Sequence, residues 1–216
     1  MKEDEIREKV HALANRLTEL SAELARLQRR KEFEQELRER GSWLADGNTK
    51  APPWVERWNE YWERLRADPR YVALVSEYES VRAELHSPEF ESAIEGMKTG
   101  DGAGAEYAVA YIEADPWYFR SGYFKATLAR RLRRIRLTPE QQRRLRTAIL
   151  ASLPRGARYD WVEMRKLARR IETPVFREEL ERLSKVPDPG TSRRAALMLE
   201  FCRMNDTPGR DLRGAR

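Results

Sequence analysis

An unbroken aliphatic seam opens the chain. Ile6, Val10, Leu13, Leu17, Leu20, Leu24 and Leu27 recur in steps of 4, 3, 4, 3, 4 and 3. That period belongs to one face of a helix, so the segment must form a helix that buries its seam against something. Val10, Leu17 and Leu24 occupy the a positions of a heptad, and Ile6, Leu13, Leu20 and Leu27 the d positions. Lys31 and Glu34 fall where the next a and d belong, while Phe33 and Leu37 carry an apolar stripe onward in a shifted phase. Gly41, just after Arg38 and Arg40, is the expected end of this 1–40 helix. Two uses of the seam remain open: self-association or a partner helix, and docking on the rest of its own chain.

Residues 41–53 form a turn-rich connector that opens a 41–98 aromatic-rich helical segment. There Trp54, Trp58, Tyr61, Trp62 and Leu65 share one helical face at spacings of three and four. Charges of both signs surround this stripe, so it is expected to be core rather than a surface for stacking bases, with an exposed anchor for a partner as the other reading. Asp68-Pro69 and Ser87-Pro88 each place a capping side chain before a proline suited to the first helical turn. The glycine-rich stretch 99–105 reads as a flexible linker between two parts.

Beyond it, helices are expected over about 106–114, 118–135, from 138, 160–171, 174–183 and 191–204, forming a 106–204 helical-repeat domain. Thr138-Pro139 and Thr173-Pro174 repeat the capping pattern, and Thr138 with Gln141 makes a capping box. The tail 205–216 reads as disordered. Strand-like alternation is missing throughout, so the expected class is all-α: an N-terminal heptad helix, helical hairpins and a small array of helical pairs. The segments LARRLRRI, LRTAIL, MRKLARRI and FREELERL share one leucine texture. In helix length, turn length and leucine placement, residues 105–204 resemble HEAT-like α-solenoid repeats. That resemblance implies a binding scaffold rather than an enzyme.

Charge is distributed unevenly. The net charge of +6 divides into −5 over residues 1–104, +10 over 105–170 and +1 over 171–216. Of 42 basic residues, 34 are arginine, so their placement says more than their number. Eight lie between Leu128 and Arg146: Arg130, Arg131, Arg133, Arg134, Arg136, Arg143, Arg144 and Arg146. On helical wheels these arginines fall largely away from the apolar faces made by Leu128, Leu132, Ile135, Leu145 and Ile149, with Arg131 flanking the first face. Such a face suits an acidic protein surface, this chain's own acidic half included, or the phosphates of a nucleic acid.

Chemistry-bearing motifs are scarce. His11 and His86 have no second ligand at metal spacing, and Gly100–Glu106 lacks the lysine and hydroxyl of a phosphate loop, so no metal or cofactor is expected. Glu113 and Asp115 stand together at a helix end, where an arginine or solvent is a simpler neighbour than a substrate. Cys202, alone among Leu197, Leu199 and Phe201, reads as a buried thiol. No apolar run approaches the roughly 20 residues of a membrane helix, and the charged MKEDEIREK start lacks a signal's apolar stretch. A cytoplasmic, non-enzymatic adaptor acting in a protein complex is therefore expected. An accessory subunit gripping RNA or DNA backbone through the arginine face is the alternative.

Overall fold

The computed structural model describes residues 2–28, 54–156 and 159–204, with side chains from residue 59 in the second stretch. The expected continuation of the first helix to residue 40, its Gly41 end, the 41–53 connector, the side chains of Trp54 and Trp58, and the 205–216 tail lie outside the described residues. The protein is all-α. Its helices are α1 (Glu3–Leu27), α2 (Trp54–Ala67), α3 (Pro69–Leu85), α4 (Pro88–Gly96), α5 (Ala105–Ala114), α6 (Ser121–Leu132), α7 (Pro139–Ser152), α8 (Trp161–Ile171), α9 (Pro174–Leu183) and α10 (Pro189–Arg203). Short 3-10 turns follow α4 and α7, and no strand occurs among the described residues.

Local chemistry starts these helices where the sequence says it should. Thr138 Oγ1 accepts from the Gln141 amide at 3.2 Å while Gln141 Oε1 accepts from the Thr138 amide at 3.1 Å, which completes the capping box. Asp68, Ser87 and Thr173 cap α3, α4 and α9, each with proline next in the chain. Asp188 does the same for α10, which therefore begins at Pro189 rather than near 191.

α5 is the hub. From Ala105 to Ile112 every residue is buried, and α1, α4, α6 and α7 pack around it. Its alanines at 105, 108 and 110 let neighbouring backbones come close, while Tyr107, Val109, Tyr111 and Ile112 fill the gaps between them. Gly104 precedes this helix because a Cβ there would collide with the Ala93 carbonyl. Farther along, α5 packs on α7, α6 on α8 and α8 on α10, while α9 packs on α10.

One apolar cluster runs from Ile6 through Tyr111 and Leu167 to Cys202, and a smaller one joins Leu20, Leu24 and Leu74. The 99–105 stretch therefore does not separate two cores. Its end is built in, with Gly104 and Ala105 both buried. The aliphatic seam meets α3 and α5 of its own chain. Ile6, Val10, Leu17, Leu20 and Leu24 are buried there, while Leu13 and Leu27 are half-buried against the same clusters. Of the aromatic stripe, Leu65 is buried and Tyr61 and Trp62 are half-buried, and the Tyr61 hydroxyl donates to the Leu27 carbonyl at 2.5 Å.

The single helix expected over 118–135 is shorter, running from Ser121 to Leu132. Asp115 (φ 43°) and Arg120 (φ 67°) both adopt left-handed backbone, which no continuous helix of L-residues accommodates. Between them lies an ordered loop.

Candidate functional site

Eight clustered arginines do not make one positive face. Arg131 donates to the Ile94 carbonyl at 2.7 Å and to Glu95 at 2.9 Å, tying α6 back to α4. Arg133 reaches Glu163 on α8 at 2.6 Å, and Arg143 pairs with Glu140 one turn earlier at 2.6 Å. Arg130 bonds the Ala126 carbonyl and Thr127, and Arg146 bonds the Ile171 carbonyl at 2.9 Å. Arg134 and Arg136 stand exposed, with no carboxylate partner among the described residues.

Arg144 departs furthest from the helical wheel. It is only 6% exposed, because α5 presents two carboxylates to the face of α7 on which it lies. Its Nη1 meets Glu106 at 2.7 Å and its Nε meets Glu113 at 3.0 Å, with a second bond from Nη2 to Glu113. Burial works to lower the Arg144 pKa, but Glu113 and Glu106 outweigh it and raise the value. Arg7 and His11 of α1 approach the same Glu113 carboxylate at 3.6 and 3.4 Å, although His11 Nε2 is out of hydrogen-bond alignment. Burial pushes the Glu113 pKa up, and the surrounding His11, Arg144 and Arg7 hold it down at about 2. The group clamps α1, α5 and α7 together.

Asp115 is engaged as fully. Lys125, only 1% exposed, binds it and donates to the Pro116 carbonyl at 3.2 Å, while Arg155 holds its other oxygen. The Glu113–Asp115 pair is thus surrounded by cations that fix the start of the 115–120 loop.

That loop points aromatics outward. Trp117 and Phe119 are 57% and 73% exposed, and the next turn adds Tyr123 at 54%. Tyr159, 62% exposed, stacks on Tyr123 with ring centroids 3.7 Å apart. Arg120 lies over the Phe119 ring at 5.2 Å. Phe119, Tyr123, Phe124 and Tyr118 line a pocket of about 550 Å³, closed by His86 and rimmed by Glu79, Glu91, Arg82 and Arg120. Its floor is rigid. His86 Nε2 meets the Tyr118 hydroxyl at 2.8 Å and Nδ1 meets Glu91 at 3.2 Å. Phe90, Tyr111 and Phe124 pack edge-on around the imidazole. Burial lowers the His86 pKa more than Glu91 raises it, so the ring is neutral at pH 7. Tyr118 donates or accepts within a hydroxyl pair with Tyr111, and burial raises both phenols, Tyr118 to about 12.

Elsewhere chemistry is muted. Among the described residues no group of histidine, cysteine and carboxylate side chains could hold a metal ion. Burial, with Glu172 nearby, pushes the Cys202 thiol up to about 12, so it stays protonated. No described helix is long and apolar enough to cross a membrane.

The aromatic surface was not among the candidate sites in the sequence, although PWYFRSGYF, residues 116–124, packs five aromatics into nine positions. That density was the available signal. The 118–135 helix expectation hid it, because it placed Tyr118 and Phe119 on a continuous helix with Tyr123 rather than at a loop before it. Comparisons with protein-family models, curated proteins and solved structures give no match to this chain.

Proposed function

We propose that the protein is a non-enzymatic adaptor that binds a partner protein through the aromatic surface formed by Trp117, Phe119, Tyr123 and Tyr159. The exposure of these four rings carries the reading, with Phe119 and Tyr123 also lining the pocket. Large aromatics at the centre of a patch and arginine at its rim are what protein interfaces use for affinity. Monomer surfaces seldom leave so much aromatic area in one place. The loop that presents Phe119 keeps two non-glycine residues in left-handed backbone, and such strain gathers where a surface is used. The pocket suits an apolar side chain of the partner, with its mixed-sign rim pairing around it. The resemblance to HEAT-like repeats points the same way, since those arrays are binding scaffolds.

The test is affinity capture from cells that naturally make the protein, with wild type beside Phe119→Ala/Tyr123→Ala. A partner bound directly here should crosslink to a photoreactive residue placed at position 119. It should also bind the double variant at least about tenfold more weakly, the loss expected for a hot-spot pair. A partner retained equally by both proteins would sink the reading.

A further inference from the structure

A second surface lies where the α6–α7 connector meets the end of α8. Arg134, Arg136 and Arg170 border an open groove of about 900 Å³ there, with Thr138 and Gln142 on its other wall. We infer that this groove takes the phosphodiester backbone of a nucleic acid, independently of the aromatic surface.

What sets the groove apart is the missing negative charge. Four nearby arginines have carboxylates, Arg131 with Glu95, Arg133 with Glu163, Arg143 with Glu140 and Arg144 with Glu106 and Glu113, while Arg130 and Arg146 bond carbonyls. Arg134 and Arg136 have none among the described residues. Arg170 is fixed by a backbone acceptor instead, its Nη2 donating to the Ile135 carbonyl at 3.1 Å. The acids nearby are already engaged, Glu140 by Arg143, Glu163 by Arg133 and Lys166, and Glu172 by Arg177. Arg146 bonds the carbonyl of Ile171, a lining residue, and has its pKa lowered by burial and by Arg143.

The lining decides which anion fits. Ile135, Leu137 and Ile171 are at most 7% exposed, so Pro139 is the exposed apolar residue of the lining and a peptide would find little else to anchor on. Thr138 Oγ1 accepts in its cap and keeps its hydroxyl hydrogen, and the Gln142 amide donates to the Leu137 carbonyl at 3.1 Å, so both are minor donors beside the arginines. Guanidinium forks are what the groove offers, and these match phosphate oxygens bidentately. No aromatic ring lines it, so stacking of single-stranded bases has no platform. Contacts of this kind are sequence-neutral.

The experiment is fluorescence anisotropy of the full chain with labelled duplexes of roughly 20 base pairs, one DNA and one RNA, from about 50 to 400 mM salt. Labelled polyglutamate of similar charge runs in parallel. Micromolar binding to at least one duplex is expected, weakening linearly in log salt with a slope of roughly −2 to −3 for about three phosphate contacts. Arg134→Glu/Arg136→Glu should weaken it at least about tenfold and flatten the slope. Both sites are exposed, and an unchanged circular dichroism melt will show that the variant folds. Phe119→Ala/Tyr123→Ala should bind the duplexes as wild type does, which separates this site from the aromatic surface. No duplex binding at the lowest salt, equal binding by the charge-reversed protein, or tighter binding of polyglutamate would overturn the assignment.

Discussion

Arg134 and Arg144 lie ten positions apart in one basic run, and the fold uses them oppositely. Arg144 is enclosed between Glu106 and Glu113, whereas Arg134 stands in solvent beside a groove. The difference teaches that a run of like charge is not one feature. Each arginine's role depends on what the neighbouring helix offers it, and on α7 it is the inner face that meets the carboxylates of α5. The sharpest way to break this comparison is to remove each side chain. Arg144→Ala leaves Glu106, only 4% exposed, without its guanidinium partner, and a broken buried pair of this kind costs about 3–5 kcal/mol. Arg134→Ala should lie within about 0.5 kcal/mol of wild type, as exposed substitutions do. Urea titrations of both variants give the contrast directly, and equal losses would refute it.

Acid probes the same clamp from its other side. The Glu113 pKa is about 2 in the fold against an ordinary 4.5, so between those values the unfolded chain binds more protons. Its stabilisation is therefore complete above pH 4.5 and is lost as the pH falls towards 2, by on the order of 3 kcal/mol. His86 acts in the same direction. Its pKa is lowered by burial, so stability begins to decline as the pH drops below the ordinary 6.5. Melting temperatures of wild type and Glu113→Gln across pH 7 to 2 separate the two. In Glu113→Gln the loss below 4.5 should shrink and the shallower loss near 6.5 should persist.

A smaller effect is expected where α4 meets α5. Gly104→Ala pushes a methyl group into the Ala93 carbonyl, and overpacking of this kind costs about 1–3 kcal/mol. A denaturation midpoint equal to wild type would mean that 99–105 yields as freely as a linker should. This junction also marks how far the sequence was legible. Caps at Asp68, Ser87, Thr138 and Thr173 could be read because each depends on residues two or three positions away. The inward face of the heptad seam was legible from its period, and its docking site on α3 and α5 was not, since period does not name a partner. Arg144's burial depends on Glu106, 38 positions earlier, and nothing in the local pattern records that distance. The outward turn of Phe119 depends on a left-handed arginine at 120, a conformation no sequence rule assigns to that residue type.

The least disruptive substitutions sharpen the comparison most, because they separate surface from scaffold. Phe119, 73% exposed, contributes little to the core, so Phe119→Ala should change stability by no more than about 0.5 kcal/mol. Tyr118, one position earlier, is 9% exposed and bonded to both His86 and Tyr111. Its truncation should destabilise the fold by several times as much, since cavity and lost hydrogen bonds add. Thermal melts of the two variants therefore should differ although the residues are neighbours. If Phe119→Ala melted as low as Tyr118→Ala, the 115–120 loop would be structural packing. Its aromatics would then be holding the hub rather than waiting for a partner.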